Sequence, residues 1–279
     1  MAEANRDQIE FWSTTQGQKW LRLEDRIERM MTPFTEAGLA ALGDIAGKHC
    51  LDIGCGAAGT TLALAEAAGD DGSAAGIDVS PPLLKRAWER AEGRRTMCFA
   101  EGDAQDYAFR DATFDILFSR FGIMFFRDTP AALANLRRAS KPGARLVFIV
   151  WREPRENPWV MIPVSAAKAF VELPPRPAPG EPSQFQWADA ALATGWLEGA
   201  GWRDCCFEPL DLALEMPGAP LEAARFLLQM GPAATLLAEA GGDLAERAEA
   251  ALAEKLVPHL RDGVVILDSA CWIVSAKAG

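Results

Sequence analysis

Hydrophobic and polar positions along the chain follow two periods that take turns. From Gly17 to Met31, Trp20, Leu21, Leu23, Ile27 and Met30 recur at mostly helical spacings among charged residues, which predicts an amphipathic helix. Lys48 to Ile53 is a short apolar run that ends in Gly54-Cys55-Gly56, and the Ala/Leu-rich stretch Thr60 to Ala68 reads as helix. Ala74 to Val79 predicts a second strand, after which Ser80 offers an N-cap and Pro81 a first-turn proline for a helix to about Ala91. Thr96 to Glu101 and Phe114 to Phe118 are the next strands. Asp128-Thr129-Pro130 opens a helix to Ser140, the turn Lys141-Pro142-Gly143 ends it, and Arg145 to Trp151 is a fifth strand.

Such alternation implies parallel strands joined by right-handed crossovers, with helices on both faces of an open, doubly wound α/β sheet. Buried parallel strands should be near-continuous apolar runs, as Leu146 to Val150 is. After Trp151 the rhythm changes. Trp159 to Val171 reads as helix, and the loop holding Pro174, Pro175, Pro177, Pro179 and Pro182 cannot be regular structure. Trp187 to Gly199 returns to helix and Arg203 to Ala213 to strand. Leu221 to Leu256 is helical with breaks at Gly231-Pro232 and Gly241-Gly242, and Val264 to Val274 is the last strand. The expected organisation is an N-terminal helical segment over 1–46 that covers a cofactor site, and one domain over 47–279. Helical insertions at about 157–200 and 220–262 would form a lid over an acceptor site.

Composition narrows the possible partners. Lys and Arg total 28 against 39 Asp and Glu, a formal net charge of −11, which repels polyanions, so nucleic acid is not an expected partner. No apolar run approaches a membrane span, and Met1 to Glu10 has no signal-peptide pattern, so the expected location is cytoplasmic. The six cysteines include no C-x-x-C, and with only His49 and His259 there is no metal-ligand spacing; buried free thiols and no metal are expected.

Gly54-x-Gly56-x-x-Gly59 lies between a strand and a helix, where glycine lets a ligand approach the backbone and the helix N-terminus favours an anionic group. Asp52, two places before the first glycine, would repel a diphosphate but attract an ammonium, so an amino acid fits. Asp78 closes the next strand, where a carboxylate can accept both hydroxyl protons of a ribose. A third acid lies in Glu101-Gly102-Asp103-Ala104-Gln105, after the third strand, where a side chain can reach an adenine amino group. Three acids thus end three successive strands, on the rim where open α/β sheets bind ligands.

Leu51-Asp52-Ile53-Gly54-Cys55-Gly56, Gly76-Ile77-Asp78-Val79-Ser80, Gly102-Asp103-Ala104, Phe114-Asp115, and Leu136-Arg137-Arg138 leading into Lys141-Pro142-Gly143-Ala144-Arg145-Leu146 resemble the successive motifs of class I S-adenosylmethionine-dependent methyltransferases. They are similar in particular to the small-molecule enzymes of the ubiquinone/menaquinone-biosynthesis type, over roughly Gly47 to Trp151. The resemblance implies a seven-stranded, Rossmann-like, mostly parallel sheet whose last strand is antiparallel, with S-adenosylmethionine as cofactor and S-adenosylhomocysteine as product. It implies that Gly54 and Gly56 pass the methionine moiety, with Asp52 near its ammonium. Asp78, with Val79 beside it, would bind the ribose, and Asp103 and Ala104 would contact adenine. Trp12 and Trp20 fall in the segment that resembles the cofactor-covering part of these enzymes, as packing residues or as ligand contacts.

The expected partner is a small-molecule methyl acceptor, apolar and of aromatic or prenylated character, and a homodimer is compatible with the chain. Ser119 and Arg120 would sit beside the methionine end and are the candidate catalytic residues. Ser119 is also a candidate cofactor contact, and Arg120 reads equally as an anion-binding residue or a structural salt bridge. Phe121, Met124 and Phe125 could floor an acceptor site or pack in the core, and Trp151 and Trp159 could line the same site. Two other readings stay open. A nicotinamide oxidoreductase would use the same glycines, but Asp52 opposes a pyrophosphate and Tyr107 has no lysine four places on. A non-catalytic binder would keep the cofactor site alone.

Overall fold

The apolar run ahead of the glycines forms β1 (His49–Ile53), buried from Cys50 onward, as a central parallel strand requires. In the computed structural model, which describes residues 5–173, 175, 177–230 and 242–279, β1 lies between β2 (Ser73–Asp78) and β4 (Phe114–Arg120), parallel to both. Asp52 is level with Gly76 on one side and Phe118 on the other. Outside β2 runs β3 (Met97–Glu101), with Asp78 level with Glu101. The three acid-bearing strand ends are therefore brought to one rim. Beyond β4 lies β5 (Ser140–Trp151), parallel to it, and then β8 (Val264–Ala278), antiparallel to β5 with Trp151 opposite Cys271. With β6 (Trp202–Met216) the order is β3-β2-β1-β4-β5-β8-β6. The seven expected strands are all in that path, and β7 (Leu260–Arg261) adds an eighth by pairing with β8.

Helices α4 (Gly59–Ala68), α5 (Pro81–Arg90) and α6 (Thr129–Ala139) follow β1, β2 and β4. Asp128 caps α6 as predicted, its side chain accepting from the Ala131 N–H at 3.0 Å. Ser80 does not cap α5; its hydroxyl donates instead to the Trp12 carbonyl at 2.8 Å. The single helix expected from Gly17 to Met31 is divided between α2 (Thr15–Arg22) and α3 (Glu24–Leu42), and α1 (Arg6–Ser13) precedes them. The apolar period runs across Leu23, but the Leu23 N–H closes α2, and Glu24 and Asp25 in the next turn favour a new helix start. The expected Lys141-Pro142-Gly143 turn lies inside β5, where its register on β4 shifts between Phe114 and Ile116.

The described residues divide into two compact units. The first holds residues up to Trp151 with Pro179–Pro209 and Cys271–Gly279; the second holds Arg152–Ala178 and Leu210–Ala270. In the first, α8 (Ala190–Gly199) is capped by Asp189 and packs against α6, and the Trp202 indole donates to the Leu133 carbonyl at 3.2 Å. In the second, α7 (Pro158–Ala167), α9 (Pro220–Met230) and α10 (Gly242–Leu256) pack on one another. Asn157, fully buried, ties this unit together: its amide donates to Glu153 and Ala270 carbonyls at 3.1 Å and accepts from the Ala270 N–H at 3.0 Å. The breaks expected at Gly231-Pro232 and Gly241, and Pro174 of the proline loop, lie outside the described residues. No helix among the described residues is long and apolar enough to cross a membrane. The expectation of buried thiols holds for Cys50, Cys55 and Cys271, whereas Cys98, on the edge strand β3, and Cys206 are exposed and Cys205 is half-buried.

Candidate functional site

The turn after β1 runs through Gly54 and Gly56, both left-handed at φ 70° and 52°, where glycine alone carries no steric cost. Gly54 is needed for a second reason: a Cβ there would lie 2.6 Å from the Cα of Gly122, in the loop after β4. The two loops touch backbone to backbone. Ser119, fully buried, fastens them, its hydroxyl donating to the Ile53 carbonyl at 2.7 Å and accepting from the Gly122 N–H at 3.1 Å. Gly122 was visible in the sequence as a glycine after a strand, but nothing local said what it faced. Ala58 and Phe121, at φ 70° and 64°, are non-glycine residues held left-handed in these same loops, the kind of strain that tends to be stored at functional sites.

Asp52 lies fully buried beneath this turn. Its Oδ2 accepts from the Thr60 and Thr61 hydroxyls at 2.5 and 2.6 Å, while Oδ1 is buried without a partner among the described residues. Burial pushes its pKa up to about 6, against the two hydroxyl bonds and the nearby Arg120 charge, which pull it down. Asp78 is half-buried and accepts one backbone N–H on each oxygen, Gly56 at 2.8 Å and Ser80 at 2.9 Å. Burial also raises its pKa, with those backbone bonds opposing. Each oxygen keeps a lone pair for a hydroxyl. Asp103 accepts from its own loop, the Gln105 N–H at 2.9 Å, and from the Asn5 amide at 2.9 Å; Ala104 beside it is buried.

The first helices lie along the same rim. Ser13 donates to the Val79 carbonyl at 3.0 Å, next to the Ser80 to Trp12 bond. The Trp12 ring packs edge to face on Trp20 and on Phe125, with centroids 5.5 and 5.7 Å apart. Sequence spacing did not place Phe125 with these tryptophans. Phe121 instead stacks flat on Trp151, centroids 4.1 Å apart and planes 5° apart, and Phe34 closes against both edges. Met124 and Trp151 are buried, Phe121 and Phe125 half-buried. The candidate acceptor residues thus separate into two aromatic clusters, and Trp159 belongs to the second unit, its indole donating to Asn157 at 3.1 Å.

Arg120 leaves the end of β4 toward α3, where it bonds the Thr35 hydroxyl at 2.8 Å and the Glu28 carboxylate at 3.2 and 3.4 Å. Asp115 at the other end of β4 takes the Lys141 ammonium at 2.7 Å and the His49 N–H at 3.0 Å. Partial burial pushes its pKa up, but these bonds and the Lys141 and Lys48 charges hold it below the usual value. Asp115 is therefore a strut between β1, β4 and β5, remote from the glycine turn. His49, bonded to Ser73 at the start of β1, is equally remote.

The rim combines a glycine turn, a buried carboxylate with one oxygen unpartnered among the described residues, and two further acids on adjacent strand ends. That combination suits a ligand with a cationic end and a nucleoside. Residues 51–148, the span that carries all of these groups except the helices before β1, match the family described as "Methyltransferase domain". Over this span the chain is similar to methyltransferase domains. Demethylmenaquinone methyltransferase of Staphylococcus carnosus is 34% identical over 108 residues, 39% of this chain and 45% of that protein. Aklanonic acid methyltransferase DauC of a Streptomyces species is 29% identical over 56% of this chain and 70% of that one. The chain thus spans about half the length of several curated relatives it matches. Among solved structures, phosphoethanolamine N-methyltransferase 2 of Haemonchus contortus superposes with a TM-score of 0.55 at 21% identity, over 88% of this chain and 52% of that one. The matched span supplies β1 to β5, and the sheet continues beyond β5 with β8 and β6.

Proposed function

We propose that the protein is an S-adenosylmethionine-dependent methyltransferase acting on a small, apolar acceptor of quinone or related aromatic type. The observation that carries this reading is Asp78. The turn that would hold the methionine end also orients the carboxylate that would hold the ribose, since Gly56 donates to it. The residues fit the cofactor: the partnerless Asp52 oxygen faces a need for a positive donor, Gly54 and Gly56 leave the backbone open, and Val79, Asp103 and Ala104 follow along the rim. Trp12 and Trp20 cover it from α1 and α2. When bound, the cofactor supplies a methyl group on a sulfonium for in-line displacement.

This chain's own residues then have to align the acceptor and exclude water, which can account for most of the acceleration. Phe121 and Phe125, half-buried, are the acceptor-facing aromatics, and Met124 and Trp151 form their buried backing. Ser119 holds the turn in shape and is a positioning residue. The relatives named for demethylmenaquinone and aklanonic acid support an acceptor of this class.

Calorimetric titration with S-adenosylmethionine and with NADH tests the cofactor, and S-adenosylhomocysteine formation over a panel of quinols and phenols tests the activity. Binding of NADH alone would refute the proposal. Sulfonium binding without turnover on any acceptor would leave a binder in place of an enzyme.

A further inference from the structure

The glycine fingerprint accounts for Gly54 and Gly56, but Gly59 has a different neighbour. A Cβ on Gly59 would run into the carboxylate of Glu28, which α3 projects onto the first residue of α4. Glu28 is joined there by Arg120, whose Nη1 is fixed by the Thr35 hydroxyl at 2.8 Å and the Met31 carbonyl at 3.3 Å. The pair is sheltered, with side chains 13% and 31% exposed, yet its contacts of 3.2 and 3.4 Å are long, against about 2.7–2.9 Å for a closed charge-assisted pair. On the same helix Glu24 closes on the more exposed Arg86 at 2.9 Å. Nη2 of Arg120 carries two hydrogens and meets only Glu28 among the described residues, so one hydrogen remains for a further acceptor.

A fixed acid beside a fixed guanidinium, at the mouth of a glycine turn, complements a zwitterion. We propose that Glu28 and Arg120 receive the amino-acid end of the cofactor, the Glu28 carboxylate taking its ammonium and the Arg120 guanidinium its carboxylate. The two ligand charges enter between the long contacts of the existing pair. With Asp52 beneath, the three groups carry a net charge of −1 when all are ionised, which suits the sulfonium that lies next to the zwitterionic end. This rests on the cofactor reading above and adds a residue from α3 that lies before the matched domain.

The test is titration of the full chain with S-adenosylhomocysteine and with 5′-methylthioadenosine, which keeps the nucleoside and thioether but lacks the amino-acid end. Glu28→Gln should weaken S-adenosylhomocysteine about tenfold or more and leave methylthioadenosine within about twofold. Arg120→Lys should do the same and serves if the first variant does not fold. Equal weakening of both ligands would overturn the proposal in favour of a packing role for α3, and unchanged affinity for both would also overturn it. If the unaltered protein binds methylthioadenosine as tightly as S-adenosylhomocysteine, the proposal fails while the nucleoside site stands. If it binds neither, the cofactor reading falls first.

Discussion

Asp52 is a carboxylate placed where ionisation is costly. Its pKa rises from 3.8 to about 6 on folding, so the folded chain holds this proton more tightly than the unfolded one does. The group's stability contribution is therefore most favourable below pH 4 and declines as the pH rises to about 6, by about 3 kcal/mol in all. Asp52→Asn, which can still accept from Thr60 and Thr61, should be more stable than the parent above pH 6, with the gap closing toward pH 4. Thermal melts across that range check this; a gap independent of pH would contradict it. Gly122 is the other decisive residue. Gly122→Ala forces a Cβ to 2.8 Å from the Gly54 Cα and into the Ile53 carbonyl, and should cost about 1–3 kcal/mol while weakening cofactor binding. Gly143→Ala, left-handed at φ 74° with open space around it, should cost about 1–2 kcal/mol and leave cofactor binding unchanged. Denaturant titration and calorimetry separate the two.

At the level of elements, the parallel strands and the helices between them were legible because each obeys a local rule: a buried run reads as strand, and Asp128 before Thr129-Pro130 reads as a cap. Asp128→Ala should accordingly cost about 0.5–2 kcal/mol in urea unfolding. The glycine turn and the three acids were legible for the same reason, since each lies at the end of its own strand. What escaped depends on partners far along the chain. Ser80 looks like a cap but meets Trp12, 68 residues away, and Glu28 looks like solvated helix surface but meets Arg120, 92 residues away. Phe125 could not be assigned to Trp12 until the fold set α1 beside the segment after β4. Trp12→Ala removes three edge-to-face contacts, to Phe11, Trp20 and Phe125, worth about 0.5–1.5 kcal/mol each beyond area. It should lower the melting temperature and raise amide exchange in α1 without changing exchange in β1; protection lost in β1 as well would contradict a local role.

For the molecule as a whole, the net charge of −11 places the site in a negative field. S-adenosylmethionine carries one more positive charge than S-adenosylhomocysteine, so its affinity should fall more steeply as salt rises from about 50 to 300 mM. Equal salt slopes for the two ligands would show that the field does not reach the site. The strand order has its own consequence for biosynthesis. The strand that pairs with the far side of β5 is β8, whose first paired residue comes 120 positions after Trp151. While a ribosome makes the stretch between them, the apolar run Leu146–Trp151 presents a row of unpaired amides and carbonyls, the kind of edge on which nascent chains associate. Completion of this sheet is therefore a late event in synthesis, and the long intervening segment has to be made before its partner arrives.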